Sequence, residues 1–348
     1  MPRLERVLTS SALVTGITGQ DGSLMAKLLL SQGYRVIGLY RSSSNNPFWR
    51  LDELGITEYL TLIPLDISSY GDLQTVLYGK RFSAIFHFAG STLTVASHQN
   101  PSEVFHINTY ASLELLNFAH RTNQDCFLML ASSSEIYGNK GFNTPGFDKR
   151  LLRPLNPYGL SHTSILEISD MYREVHGLEI CNAIYFNHES ALRDQRFFSR
   201  KLSVGITQLI TNPSFILDIG SFDSSRDWGS ADEFMVVSLM LFEMRTNCAL
   251  DIGTGKLTAA VDVLRLALET AGFEPEFCLS PQENFIIDKT SGRVLIRSNI
   301  DLVRKNETLP RTANTCGLYG AINRIPNKTL LDIMPEMVMK DMKRRQLR

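Results

Sequence analysis

Four side chains capable of proton chemistry lie close together in the middle of this sequence. Ser133 and Glu135 follow an apolar run, whereas Tyr158 and His162 lie in the segment NPYGLSH. A spacing of four places Tyr158 and His162 on one face of a helix, and Pro157 suits the first turn of that helix. Because a hydroxyl, a carboxylate and a phenol can hold or transfer protons, these residues predict a proton-transfer site. The alternative is that ASSSE is a capping and turn sequence.

Short apolar runs alternate with helical patterns through the first half of the chain, and these elements must position the four side chains. Continuous apolar strands are typical of parallel sheets, and their alternation with helices indicates right-handed βαβ units. We therefore predict an α/β fold: a doubly wound parallel sheet of the Rossmann type, with a smaller, mixed α/β substrate-binding domain. The predicted strands are 12–17, 35–40, 59–65, 84–90, 126–132, 179–186, 214–220 and 248–253, and the predicted helices are 21–32, 70–79, 103–121, 157–176, 195–211, 231–245, 259–271 and 329–345.

The turn after the first predicted strand carries Gly16, Gly19 and Gly22 and leads into a helical pattern. Such glycines let the backbone approach a pyrophosphate, and a helix N-terminus attracts phosphate. The second strand ends in Arg41, followed by serines from Ser42 onward, with no acid. A site for NAD would place an acid there, whereas a guanidinium suits the 2′-phosphate of NADP. The sequence therefore predicts NADP, and the alternative is a solvated arginine at a strand end.

Composition and charge exclude several classes of protein. The chain has 348 residues, 43% of them hydrophobic, and a formal net charge of -1, which gives no argument for nucleic-acid binding. No run of about 18 apolar residues occurs, so no membrane span is predicted. Five scattered cysteines without Cys/His spacing predict no metal site and favour a reducing compartment. Since MPRLERVLTSS lacks a signal-peptide core, we expect a cytoplasmic protein.

With these motifs the sequence resembles the extended short-chain dehydrogenase/reductase family, and within it the GDP-mannose 4,6-dehydratase branch, along nearly the whole chain. GITGQDGS matches the family's cofactor turn and ASSSEIYG its catalytic strand end. FNHES at 186–190 and RDWG at 226–229 are particular to the dehydratase branch. The resemblance implies a lyase that oxidises the C4 hydroxyl of a nucleotide-diphosphate sugar, eliminates water across C5–C6 and returns the hydride to C6. It also implies a homodimer or homotetramer.

The resemblance implies a role for each matching residue. The catalytic residues would be Ser133, Glu135, Tyr158 and His162. The NADP contacts would be Gly16, Thr18, Gly19, Gln20, Asp21, Arg41, Ser42, Asp66, Ile67, Phe88, Ala89, Gly90, Thr92, Tyr158, His162, His188 and Arg193. The contacts to the sugar nucleotide would be Glu135, Asn187, Lys201, Arg226, Arg304 and Glu307. Judged from the residues alone, Asp66 is also suited to be a plain loop cap.

The chain is predicted to form two domains. Residues 10–186 would form the NADP-binding Rossmann domain, with 214–249 partly returning to it. Residues 187–213 and 250–348 would form the nucleotide-sugar-binding domain.

One position departs from the family pattern in the predicted catalytic set. The family motif is Tyr-x-x-x-Lys, and here His162 replaces the lysine after Tyr158. In the family that lysine binds the nicotinamide ribose and lowers the pKa of the tyrosine. A histidine, with an ordinary pKa of about 6.5, is mostly neutral at neutral pH and would support a phenolate weakly. Two alternatives therefore stay open: another nucleotide-sugar reaction, such as epimerisation or an altered elimination, and a weakly active or non-catalytic NADP-binding paralogue.

Overall fold

The computed structural model describes residues 10–42, 46–92, 97–122, 125–139, 152–280, 283–303 and 309–346. Contacts divide the chain into two compact units. The first comprises the chain up to Phe186 with Ala231–Ile252 and Asn314–Ile325, and the second comprises Asn187–Ser230, Gly253–Ala313 and Pro326–Arg348. The sequence predicted that 214–249 partly returns to the first domain. In the structure, residues 214–230 lie in the second unit, and residues 231–252 and 314–325 return to the first.

Helices and strands alternate along the first unit. Over both units, the strands are β1 (Ser11–Thr15), β2 (Arg35–Tyr40), β3 (Thr61–Pro64), β4 (Ala84–His87), β5 (Phe127–Ser133), β6 (Ile180–Tyr185), β7 (Asn187–Glu189), β8 (Leu217–Ile219), β9 (Ser225–Arg226), β10 (Trp228–Ser230), β11 (Ala249–Ile252), β12 (Thr258–Ala259), β13 (Pro275–Leu279), β14 (Asn284–Asp288) and β15 (Val294–Ser298). The helices are α1 (Gln20–Ser31), α2 (Trp49–Glu53), α3 (Tyr70–Leu77), α4 (Pro101–Phe105), α5 (Ala111–Thr122), α6 (Pro157–His176), α7 (Phe198–Thr211), α8 (Ala231–Glu243), α9 (Ala260–Thr270), α10 (Cys316–Ile322) and α11 (Leu330–Gln346). Within the described ranges, each helix is too short or too polar to cross a bilayer.

The sheet of the first unit has seven parallel strands in the order β11-β6-β5-β4-β1-β2-β3. The order runs outward from β1 in both directions, so the crevice where such sheets bind ligands lies at the carboxyl ends of β1 and β4. Leu13, Ile37, Ile85 and Leu128, one from each of four neighbouring strands, lie in one buried apolar cluster. This is the doubly wound parallel sheet predicted from the sequence, and the prediction is confirmed.

The helix predicted over 103–121 is interrupted. A π-helical turn, His106–Tyr110, separates α4 from α5. Asn108, in the middle of this turn, is buried. Apolar periodicity does not reveal such a turn, because its cause is tertiary: the asparagine hydrogen-bonds to groups on other parts of the unit. Single π-helical turns inside helices are frequent at functional sites.

The second unit is built on a smaller, mixed sheet. Strands β13, β14 and β15 pair antiparallel in that order, and β8 joins β15 in parallel. Helices α7, α9 and α11 share an apolar core, to which they contribute Ile206, Leu264 and Met334 respectively. Two short strand pairs, β7 with β10 and β9 with β12, lie outside this sheet. The predicted smaller, mixed α/β domain is confirmed.

Candidate active site

The strand end that carries Ser133 and Glu135 turns away from the sheet. β5 ends at Ser133, whose Oγ accepts the backbone N–H of Glu135 at 3.3 Å and begins a short 3-10 helix, Ser134–Tyr137. The serine therefore does cap this turn, as one interpretation of ASSSE expected. Because this bond uses an oxygen lone pair, the O–H hydrogen of Ser133 can still be donated to a substrate oxygen.

Tyr158 lies in the first turn of α6. Asn156 precedes the helix in an extended conformation, and its Oδ1 accepts the backbone N–H of Gly159 at 2.7 Å. Pro157 is the first helical residue, where its fixed φ favours the helix. Tyr158 is partly buried, and the positive end of a helix favours negative charge nearby. The phenol is thus carried at the N-terminal end of this helix.

Asn156 also connects the two halves of the predicted catalytic set. Its Nδ2 donates to Oε2 of Glu135 at 2.9 Å. The backbones are close as well, because a Cβ on Gly159 would lie 2.6 Å from the carbonyl oxygen of Glu135. The structure therefore brings Glu135 to the N-terminus of the helix that carries Tyr158. Sequence reasoning missed this role of Asn156, and the Asn-Pro pair at the helix start was the available signal.

Burial keeps His162 neutral. Its ring meets the Tyr158 ring edge to face, with 4.6 Å between ring centroids. The residue is only 8% exposed. The pKa of His162 is lowered to about 3: burial is the main cause, the charge of His87 acts in the same direction, and a hydrogen bond to the Ala131 backbone opposes the change. A neutral imidazole cannot supply the positive charge that a lysine would place beside the phenol.

A second buried histidine, His87, ends β4 below the predicted cofactor crevice. Its Nδ1 lies 2.7 Å from the Thr15 Oγ1, and that same oxygen accepts the backbone N–H of Ala89 at 3.1 Å. Burial lowers the pKa of His87 to about 4. His87 is therefore also neutral, and with Thr15 it holds the segment that begins at Phe88. The sequence analysis did not select His87, although its place at a strand end was a signal.

The glycine turn has the shape that a dinucleotide pyrophosphate needs. Gly16 has φ +66°, and a Cβ there would lie 2.8 Å from the backbone nitrogen of Ala89. Gly19 precedes α1, and Gln20 begins it and donates to Asp21 at 3.0 Å. A side chain at Gly16 would displace the facing backbone of Phe88 and Ala89, so the crevice depends on glycine. The residues present fit the pyrophosphate of a nicotinamide dinucleotide at the N-terminus of α1.

Asn108 links two predicted cofactor elements. Its Oδ1 accepts the backbone N–H of Ser91 at 2.8 Å, and its Nδ2 donates to the Ser161 Oγ at 3.0 Å. Ser91 precedes the exposed Thr92, and Ser161 lies on α6 beside His162. The asparagine thereby ties the segment after β4 to the helix of Tyr158. The sequence analysis missed it, because an asparagine in a helical pattern carries no specific signal.

Two exposed residues at the ends of β2 and β3 lie close enough to interact. The charge of Arg41 helps to lower the pKa of Asp66, although hydrogen bonds from Ser68 are the larger cause. Asp66 accepts from the Ser68 Oγ at 2.7 Å and from its N–H at 3.0 Å. Asp66 therefore caps its own turn, as one interpretation expected, and it does so next to Arg41. Ser42 and Ile67 follow these two residues directly.

A further arginine lies against the glycine turn. Arg50 donates from Nη1 to the carbonyl of Thr18 at 2.9 Å, and its guanidinium lies 4.4 Å from the ring centroid of Trp49. Its charge is therefore held beside the residues predicted to bind phosphate. The sequence analysis did not select Arg50, because an isolated arginine has no sequence pattern that marks it as a phosphate contact.

The two phrases particular to the dehydratase branch meet in the second unit. β7 of FNHES pairs in parallel with β10 of RDWG, with Asn187 opposite Trp228 and His188 opposite Gly229. Arg226 lies on β9, two residues before Trp228, and donates to the Ser225 carbonyl at 2.9 Å. Asn187, predicted to contact the sugar nucleotide, thus lies on the strand that pairs with β10, and Arg226, predicted to do the same, lies on β9, which directly precedes β10 in the chain.

A buried carboxylate holds the loop after Arg226. Asp227 accepts the Thr254 hydroxyl at 2.6 Å, the Thr254 N–H at 3.0 Å, the Gly255 N–H at 2.9 Å and the Ala313 N–H at 3.0 Å. Burial raises the pKa of Asp227, and these hydrogen bonds oppose that change. Asp227 therefore fixes the backbone next to Arg226.

The remaining residues of the second unit that are predicted to contact a ligand lie on several different elements. Arg193 forms an ion pair with Glu189 at 3.3 Å, and its guanidinium lies 3.8 Å from the ring centroid of Phe197. His188 is buried on β7. Lys201 is partly buried on α7. Arg304 and Glu307, both predicted to contact the sugar nucleotide, lie outside the described residues.

The fold and the strand-end site define an extended short-chain dehydrogenase/reductase. The family model described as "GDP-mannose 4,6 dehydratase" matches residues 13–318. The chain belongs to the GDP-mannose 4,6-dehydratase family.

Two relatives are each a little over a quarter identical to this chain over the aligned residues. A GDP-mannose 4,6-dehydratase of Sordaria araneosa is 27% identical over 333 residues, which span 95% of this chain and 61% of the relative. The GDP-mannose 4,6-dehydratase of Yersinia enterocolitica is 26% identical over 352 residues, which span 95% of this chain and 93% of the relative.

Solved structures with lower identity share the fold. A dTDP-glucose 4,6-dehydratase of Bacillus anthracis in complex with NAD has a TM-score of 0.76 at 16% identity, covering 97% of this chain and 98% of its own. The protein called RMD of Pseudomonas aeruginosa, complexed with NADPH, has a TM-score of 0.74 at 18% identity, covering 97% of this chain and 100% of its own. These two similarities support the fold alone.

Proposed function

We propose that this protein is an NADP-dependent nucleotide-sugar 4,6-dehydratase that acts on GDP-mannose or a related hexose. Membership of the GDP-mannose 4,6-dehydratase family supports the reaction class. The crevice at Gly16 and the neighbouring charges of Arg41 and Arg50 support a phosphorylated dinucleotide. In this proposal the first unit binds NADP, and the second supplies sugar-nucleotide contacts such as Asn187 and Arg226.

The residues of the first unit divide the proton transfers among them. When bound, NADP supplies the nicotinamide that accepts the C4 hydride and later returns it to C6. Tyr158 takes the proton of the C4 hydroxyl as its general base, and Ser133 donates a hydrogen bond to the same oxygen, which stabilises negative charge there. Glu135 would remove the C5 proton, which the C4 ketone has made acidic, and would give that proton to the C6 hydroxyl, which leaves as water. Tyr158 would release the proton that it took from the C4 hydroxyl, which balances the proton returned to C5.

A single observation carries this proposal over an epimerase. The Glu135 carboxylate is held by Asn156 at the start of the helix that carries Tyr158. Epimerisation at C4 needs only removal and return of a hydride, for which a base at C4 suffices. Elimination needs a second base for the C5 proton, and a carboxylate fixed beside the tyrosine helix is suited to that task.

A panel of nucleotide hexoses, incubated with the protein and NADP and analysed by mass, tests the proposal. We expect loss of one water from GDP-mannose or a close relative. Glu135→Gln should stop the loss of water while reduced cofactor accumulates, since oxidation at C4 does not require this carboxylate. Glu174→Gln, which changes an exposed carboxylate late on α6, is the matched control and should leave turnover unchanged. Inversion at C4 without loss of water would contradict the proposal and support an epimerase.

A weakly active or non-catalytic NADP-binding paralogue is the second candidate. The neutral, buried His162 favours it, because this imidazole does not supply the positive charge with which a lysine at the same position would lower the cost of forming a phenolate. Binding of NADP without conversion of any sugar nucleotide, at any pH that the protein tolerates, would support this candidate.

A further inference from the structure

Asn156 makes two different contacts with the two ends of its amide. The Oδ1 accepts the Gly159 N–H at 2.7 Å and caps the helix of Tyr158, while the Nδ2 donates to Glu135 Oε2 at 2.9 Å. An amide has separate acceptor and donor atoms, so the two contacts coexist. One side chain therefore sets both the helix start and the carboxylate position.

The backbone around Glu135 is held by contacts that do not involve the amide. The Arg153 N–H donates to the Ile136 carbonyl at 3.0 Å. Gly138 has φ +55°, and a Cβ there would lie 1.8 Å from the Arg153 carbonyl oxygen, so the turn after Glu135 packs directly on this segment. Removing the amide of Asn156 should therefore release the Glu135 carboxylate without disrupting the backbone turn that carries it.

We propose that Asn156 is a positioning residue for proton removal at C5. It anchors Oε2 of Glu135, and within the described part of the chain no other hydrogen bond to this carboxylate is found. In this proposal Oε2 is the anchored oxygen and Oε1 is the one that accepts the proton. A long side chain anchored at one oxygen loses less freedom on reaching the reactive geometry. This inference rests on the proposed dehydratase function.

Substitution by serine separates the two contacts of Asn156. Serine is a good helix N-cap, but its short hydroxyl cannot cap the helix and also reach Glu135. Asn156→Asp keeps a cap acceptor, loses the donor and places a like charge beside the carboxylate. Asn100→Ser is the matched control, because Asn100 likewise caps a helix before a proline and donates its amide to a glutamate, Glu103, at 2.5 Å.

The expected result is a defect confined to the C5 step. Asn156→Ser should lower kcat by about ten- to a hundredfold, the scale of a misplaced catalytic group, and leave KM nearly unchanged. The deuterium isotope effect should rise for substrate labelled at C5 but not at C4, and reduced cofactor should accumulate during a single turnover. Asn156→Asp should show a larger defect of the same kind. Asn100→Ser should match the parent protein in all three measurements.

Two outcomes would overturn the proposal. The first is a parental kcat and C5 isotope effect in Asn156→Ser. The second is an equal loss of rate in the initial reduction of NADP, which would show that Asn156 acts only through the helix cap.

Failure of the proposed function is recognised separately, because the parent protein itself would then convert no sugar nucleotide. The contact is in that case tested by a double-mutant cycle of Asn156→Ser and Glu135→Ala in thermal unfolding. A double variant whose melting temperature falls by less than the sum of the falls in the two single variants would support the anchoring contact. Strictly additive losses would overturn it.

Discussion

Acidification should destabilise the first unit, because two of its histidines stay neutral when the unfolded chain takes up protons. Burial lowers the pKa of His87 to about 4 and of His162 to about 3, against about 6.5 in an unfolded chain. Below about pH 6.5 the unfolded state therefore binds more protons than the folded state, and the free energy of unfolding falls as the pH falls. This contribution to stability is present above that pH and is lost toward the folded-state pKa values.

The loss is large on the scale of protein stability. Each histidine changes the free energy of unfolding by about 1.4 kcal/mol per pH unit once the unfolded form is protonated. Between about pH 7 and about pH 4.5, each histidine therefore lowers the free energy of unfolding by about 2.5 kcal/mol, and the two together lower it by about 5 kcal/mol. A typical protein has about 5 to 15 kcal/mol in total, so the first unit should approach unfolding in this range.

Comparison of variants isolates the part due to His162. His162→Gln replaces the imidazole by an amide that does not titrate. Between about pH 7 and about pH 4.5 the free energy of unfolding of this variant should therefore fall by about 2.5 kcal/mol less than that of the parent protein. His98→Gln, which changes an exposed histidine of the same unit, should follow the parent protein. Urea unfolding at several pH values, followed by circular dichroism, measures these differences. An equal acid dependence in the parent and His162→Gln would refute the burial of a neutral His162, and with it the argument that position 162 places no positive charge beside Tyr158.

Three further predictions concern the cofactor, the base and the assembly. Titration should show tighter binding of NADP than of NAD, and Arg41→Ala should remove most of that preference; equal affinities in the parent would contradict the role of Arg41. His162→Lys should move the rising limb of the pH–rate profile down by about one pH unit. A positive charge about 5 Å from the phenol lowers its pKa by about two units at an effective dielectric constant of about 20, and burial of the lysine cancels part of this shift. Loss of activity in this variant would instead show that the histidine has its own role in catalysis. Light scattering at micromolar concentration should find a dimer or a tetramer, and a monomer alone would contradict this expectation.

Much of the fold could be predicted from local pattern. Continuous apolar strands such as the one over 126–132 and helices such as that over 157–176 appear near their predicted limits, as β5 and α6. Their sequences carry period, turn and cap signals that need no partner. The π-helical turn at His106–Tyr110 could not be predicted in this way, because its buried Asn108 finds its partners only in the folded unit.

The sequence by itself determined which chemical groups are available. Ser133, Glu135 and Tyr158 follow from their types and spacing, and the glycines after β1 follow from the need for a close backbone approach. The replacement of the family lysine by His162 is likewise visible in the sequence alone.

Only the tertiary structure decided how these groups behave. Whether His162 is charged depends on the amount of water its surroundings exclude, because burial penalises the charged form. Whether Glu135 is anchored depends on Asn156, 21 residues further along the chain, reaching its carboxylate. Both are properties of groups brought together through space, and no spacing along a single chain segment encodes a distance or a dielectric environment.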